Sequence, residues 1–217
     1  MNNLFIFLKL LFFSTLAFNP STGKYNNCVI IRIENSSITL WDIEKFSVLE
    51  MINDNLSTKP TLVEQYIIKN KKRIIENFII YNETKRIGYQ NTSINDFENV
   101  YTKKIEKQIK NKKYRETLKN YSLDNTAVAS YYHMKNQIKS YLYNFIYKFI
   151  EVNDSEITRF LEKNRNTIKI NKRDIKRIIL IKKQKKRYND YIKKLMGTIP
   201  IEIIHSNLKC NYGGKNE

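Results

Sequence analysis

The sequence is poor in the residues that carry catalysis and bind metals. It has 2 histidines and 2 cysteines. His133 and His205 each lack an acidic or cysteine partner at ligand spacing, so each reads as an ordinary surface or core histidine. The two cysteines cannot build a structural zinc site without both histidines, and the spacing is wrong for one. No HExxH, CxxC, Gly-rich phosphate loop or GxSxG occurs. Paired carboxylates such as Glu44 and Glu50 sit on ordinary amphipathic helical patterns. These absences predict no enzyme, no metal and no cofactor. Glycine and proline are also scarce, at 5 and 3, which argues against a turn-rich all-β fold.

What is abundant is positive charge. The 217 residues carry a formal net charge of +18 with 41% hydrophobic content, enough for a real core. The chain is crowded with Lys, Asn, Ile and Tyr, as an AT-biased genome would make it. Selection for an anionic partner is the other source of such a charge. The densest basic blocks are Lys182 to Arg187, followed by Lys193-Lys194, and Lys103 to Lys113.

Residues 1–23 read as a cleaved export signal. Leu10 to Phe18 is an apolar stretch with the length of a signal core, roughly 7–15 residues. Asn19 and Pro20 break it, and cleavage falls before Lys24 or after Ala17. Even counted from Leu4, the stretch is shorter than the roughly 20 residues of a spanning helix. The expected location is the periplasm. The expected organisation is one helical domain over 24–209, with an N-terminal module at 24–163, a hinge at 164–171, a closing helix and strand at 172–204, and a polar tail at 205–217. Cys28 and Cys210 flank the two terminal strands. Two readings stand: a disulfide that ties the ends together in an oxidising compartment, or two free thiols that never meet.

The body reads as mostly α. Val29 to Ile33 is an apolar strand, Glu34 to Ser37 a tight turn, and Ile38 to Ile43 leads into a first helix. Thr39 and Asp42 form a capping box there. A second helix runs from about Thr61 to Arg86 on a stripe of Leu62, Tyr66, Ile67, Ile74, Phe78 and Tyr81, and Gly88 ends it. Phe78 to Tyr81 is apolar all round, so that turn is buried on more than one side. Polar helices follow at about 95–111 and 114–121. The strongest periodicity is Tyr131, Met134, Ile138, Leu142, Phe145 and Phe149, widened by Tyr132, Tyr141, Ile146 and Ile150. Such a stripe faces a core, or leaves part of its aromatic, Met-bearing surface exposed to grip apolar partners. Asn153 and Glu156 open a short helix to about Lys163. A last helix from Lys172 to Met196 has the seam Ile178, Ile181, Tyr188, Ile192 and Leu195, which Lys185 interrupts, and Gly197 ends it. Pro200 confines the closing strand, Ile199 to Ile204, to a sheet edge.

The order of these elements resembles the SurA family of periplasmic chaperones. Val29 to Ile43 resembles the family's opening strand, turn and "ITLWDI"-like helix start. Tyr66 to Gly88, YIIKNKKRIIENFIIYNETKRIG, is similar to its long second helix. Val152 to Asn164, VNDSEITRFLEKN, resembles the segment leading out of its N-terminal module, and Ile179 to Ile204 its closing helix and strand. Ser36 and Ser37 stand where the family usually has a turn glycine. Between Asn164 and Asn171, full-length members insert one or two parvulin-type prolyl isomerase domains of roughly a hundred residues each; this chain has a few residues instead. The resemblance implies a SurA/trigger-factor-like chaperone core, with a small sheet pairing the N- and C-terminal strands and no isomerase. It implies an ATP-independent chaperone for unfolded secreted or outer-membrane polypeptides, held in an apolar cleft. The candidate client contacts are Tyr131, Tyr132, Met134, Tyr141, Phe145 and Phe149. The alternatives are a peptidyl-prolyl isomerase by family relationship, or a basic protein binding nucleic acid or a membrane surface. Export argues against nucleic acid; the basic helices otherwise serve clients, an anionic membrane, or only solvation.

Overall fold

The computed structural model describes residues 28–90, 112–163 and 171–204. The expected helix at 95–111, the signal at 1–23, most of the hinge and the tail at 205–217 lie outside them, as does Cys210. Cys28, just before the first strand, is disulfide-bonded.

The described residues are mostly helical, with one small antiparallel sheet. Strand β1 (Val29–Ile33) lies between β2 (Ser36–Thr39) and β3 (Ile201–Ile203). The strand near the start of the chain therefore pairs with the strand near its end, with Ile31 opposite Ile203 and Ile33 opposite Ile201. An Arg32–Glu202 ion pair of 2.9 Å crosses the exposed side of this pairing. On the other side, β1 pairs with β2 with a register shift between Val29 and Ile31. That irregularity lets two consecutive residues, Ile30 and Ile31, both be fully buried, which strict strand alternation forbids.

One expectation fails here. The turn is two residues, Glu34 and Asn35, rather than four, and Ser36 to Thr39 form a strand of their own. Glu34 takes the left-handed conformation that so tight a hairpin requires (φ 49°). Helix α1 (Leu40–Asn53) starts at once, with the anticipated capping box: Asp42 N–H donates to Thr39 Oγ1 and Thr39 N–H to Asp42 Oδ2.

Helix α2 (Pro60–Arg86) opens with proline at its first turn and closes at Gly88, whose φ of 68° makes the left-handed end that glycine favours. Tyr89 N–H reaches back to Thr84 O and Gly88 N–H to Lys85 O, the two bonds of a Schellman end. The apolar centre of α2 is buried as anticipated: Ile74, Ile79 and Ile80 have no exposed surface. Leu62 is an exception. It is exposed, and Val63 takes the core position instead.

Helix α3 (Lys112–Asn120) and helix α4 (Asn125–Leu142) follow, and α4 runs on into a π-helical turn, Tyr143–Tyr147. Helix α5 (Asp154–Lys163) and helix α6 (Lys172–Thr198) complete the order. Helix α6 buries opposite sides in its two halves. Ile175 and Ile179 pack on Ile157 of α5 in a small second cluster, whereas Ile192, Leu195 and the half-buried Tyr188 and Tyr191 join the main core. The single seam expected from Ile178 to Leu195 is therefore broken: Ile178 is only half-buried and Ile181 is exposed. Lys185 is exposed and has no seam to interrupt. Gly197 does not end the helix either. It continues to Thr198, and Ile199 is extended (φ −103°, ψ 133°) because Pro200 follows and bars the helical conformation at the preceding residue.

Several tyrosines are buried where the helices meet. Burial pushes the Tyr114 hydroxyl up to about 12, with Tyr132 adding to it. Burial also raises Tyr131, Tyr188 and Tyr191, and Tyr188 further by donating to Glu76. A raised folded value means that stability is fully present below the ordinary tyrosine value of 10 and is lost as pH rises toward the folded values. We expect a cooperative alkaline unfolding above pH 10, in which exposed tyrosines such as Tyr143 ionise first and the remaining tyrosinate absorbance appears together with the loss of helical circular dichroism. Complete ionisation before unfolding would show the buried hydroxyls to be accessible.

Candidate functional site: an aromatic corner at a π-helical turn

The stripe of α4 divides into two parts. Tyr131, Tyr132, Met134 and Tyr141 are all buried, between 4% and 9% exposed, so they are core side chains and are not open to a partner. They pack as an aromatic chain: Phe46 meets Phe78 and the edge of Tyr131, and Tyr131 meets Tyr132. Four of the six expected client contacts thus build the body of the protein. The other two, Phe145 and Phe149, are 52% and 78% exposed.

The π-helical turn causes the division. Lys148 N–H donates to Tyr143 O, five residues back, at 2.8 Å. A π-turn holds one residue more than an α-turn, which rotates everything after it. In an unbroken α-helix the stripe Ile138, Leu142, Phe145 and Phe149 would stay on one side. With the extra residue, Ile146 takes the buried position and Phe145 and Phe149 turn outward, on a segment where Tyr143 is exposed as well.

The corner is held from beneath. Phe145 stacks at 4.8 Å on Tyr141 and meets Tyr89 edge-on at 5.5 Å. Tyr89, just past the end of α2, is fixed at both ends. Its carbonyl accepts from Gln137 Nε2 at 2.6 Å, and its hydroxyl bonds to Ser140 and accepts from Asn144 Nδ2. The Tyr141 and Tyr191 hydroxyls share a bond of 2.8 Å that ties α4 to α6. Exposed Ile87 precedes the glycine turn that presents Tyr89. Tyr89 and Tyr143 escaped the sequence reading because Tyr89 lies outside any helical stripe and Tyr143 falls off the α-register. The result is three exposed aromatic side chains in this segment, Tyr143, Phe145 and Phe149, of which Phe145 is held in place by Tyr89 and Tyr141. Lys148, whose Nζ lies 5.7 Å from the Phe149 ring, supplies a cation there.

A second constellation is built round a buried carboxylate and is structural. Glu50 of α1 accepts two bonds of 2.8 Å from the Arg73 guanidinium of α2 and one of 2.8 Å from Lys135 of α4, and Tyr66 adds a hydroxyl at 3.2 Å. Burial pushes the Glu50 carboxyl up, but the hydrogen bonds from Arg73 and Lys135 outweigh it and hold the group below its ordinary value. These contacts to Arg73, Tyr66 and Lys135 weld three helices together.

Among the described residues no group of His, Cys, Asp and Glu is placed to hold a metal, and no helix is long and apolar enough to cross a membrane. The chain matches no protein-family model and no curated protein sequence.

Proposed function

We propose that the protein is an exported, ATP-independent chaperone core of the SurA-like kind, without isomerase activity, that holds unfolded secreted or outer-membrane polypeptides. The observation that carries this reading is the exposure of three aromatic side chains along one short segment, Tyr143, Phe145 and Phe149, with Phe145 seated on Tyr89 and Tyr141. Exposed aromatic clusters of this kind serve binding. A helical body whose described residues are closed by pairing of β1 with β3 agrees with the SurA-like element order. Rings gripping apolar client segments one at a time give weak, many-point binding, and such binding releases without a driven step.

The test is aggregation of an unfolded outer-membrane β-barrel polypeptide, diluted from urea at physiological salt. Suppression by the protein at near-stoichiometric ratio, persisting at raised salt, is the expected result. No suppression would remove the chaperone reading. A proline-limited refolding assay run beside it should show no acceleration over the uncatalysed rate, which is slow on a scale of tens of seconds. Acceleration there would return the isomerase alternative.

A further inference from the structure

The outward side of α6 carries a feature that client holding does not use. Ile181, Lys185, Asn189, Lys193 and Met196 follow one another at spacings of four, four, four and three, which makes a single row on a helix, and all are exposed. Lys182 and Lys186 stand in the adjoining row, also exposed. This face holds Lys182, Lys185, Lys186 and Lys193; Asp190, the acidic residue of this half of the helix, follows Lys186 by four residues and precedes Lys193 by three, so it borders the face and leaves it a net positive charge. Large apolar side chains close the row at both ends, with Ile181 52% and Met196 44% exposed. At about 1.5 Å per residue, the row from Ile181 to Met196 is about 22 Å long.

We infer that this face docks on an anionic bilayer surface, with the lysines among phosphate-bearing lipid headgroups and Ile181 and Met196 dipping below them. The mixture decides between polyanions. A nucleic acid would satisfy the lysines but leave both apolar side chains in water. The headgroup region accepts cations at its surface and apolar groups just beneath. Lysine on a flexible stem suits this geometry, since its methylenes lie along the apolar zone while the ammonium stays with phosphate. The buried side of the same half of the helix, Tyr188, Ile192 and Leu195, fixes the face outward from the main core. Docking of this kind would hold the aromatic corner close to a membrane without inserting the protein into it.

The test is sedimentation of the full chain with vesicles of phosphatidylglycerol and phosphatidylcholine, against vesicles of phosphatidylcholine alone and against duplex DNA. The apolar N-terminal stretch is common to every arm, so differences between variants carry the result. Each lysine is expected to contribute about fivefold in partitioning. Changing Lys182, Lys185, Lys186 and Lys193 to Gln together should therefore lower binding to the anionic vesicles by at least about 100-fold. The pair Ile181→Ser and Met196→Ser should lower vesicle binding about tenfold and leave any DNA binding unchanged. Inorganic phosphate should displace the protein no more than sodium chloride of equal ionic strength. Equal vesicle binding by wild type and the quadruple variant overturns the inference. So does DNA binding as tight as vesicle binding together with no effect of the Ser pair, which would make the face a phosphate tracker. Every variant should match the wild type in circular dichroism and in aggregation suppression without vesicles, so loss of docking and loss of client holding are read separately.

Discussion

Replacing Glu50 by Ala is expected to destabilise the protein by about 2–3 kcal/mol, a drop of about 5–10 °C in Tm for a chain of this size. The carboxylate is nearly inaccessible, with 4% of its side chain exposed, and it pairs with Arg73 and Lys135 together. Removing one partner of a buried ion pair typically costs about 3–5 kcal/mol, because the remaining charge is stranded. Here Arg73 and Lys135 are 43% and 38% exposed and recover water when the acid is gone, so the figure belongs below that range. The pH dependence gives a second signature. Because the folded Glu50 carboxyl lies below its ordinary value of 4.5, its stabilisation is complete above 4.5 and falls away as pH drops through the lower folded value. Wild type should therefore lose stability below pH 4.5 faster than Glu50→Gln, measured by urea unfolding at neutral and acid pH. Parallel curves would show that the cluster is already hydrated in solution.

This cluster was invisible in the sequence, and the reason is distance. Glu50, Arg73 and Lys135 lie on three helices, and nothing local distinguishes them from the many charges around them. The features that could be read are local ones. Thr39 and Asp42 cap α1 within four residues, Asn153 and Glu156 cap α5 in the same way, and Gly88 ends α2 through its own backbone. The pairing of the terminal strands was also legible, because Pro200 and the short apolar runs restrict where those segments can sit. The α6 seam misled because periodicity assumes one neighbour along the whole helix. This helix has two, on opposite sides, so Ile175 and Ile179 replaced Ile178 and Ile181 at the first.

The aromatic corner marks the same limit at finer scale, and it separates a structural aromatic from a binding one. A π-turn shifts the register by a single residue and leaves no mark in composition, so Phe145 and Phe149 look like a continuation of Tyr131, Met134 and Tyr141 until the backbone is seen. The two groups must then respond oppositely to mutation. Phe149→Ser combined with Tyr143→Ser removes side chains that are 78% and 58% exposed, so stability should change by less than about 0.5 kcal/mol. Client holding by these exposed aromatic side chains should fall about tenfold or more, read as the protein concentration needed to halve aggregation of the unfolded β-barrel polypeptide. Adding Phe145→Ser should deepen the loss and cost about 1 kcal/mol, because Phe145 also stacks on Tyr89 and Tyr141. Tyr141→Ser should instead cost about 3 kcal/mol or more by opening the core and breaking the bond to Tyr191. Its folded fraction should still hold clients, apart from what the loosened seat of Phe145 takes away. Should the exposed pair prove neutral for holding while Tyr141→Ser abolishes it at temperatures where the fold persists, the grip lies in the aromatic chain of α4, and the protein must open to bind.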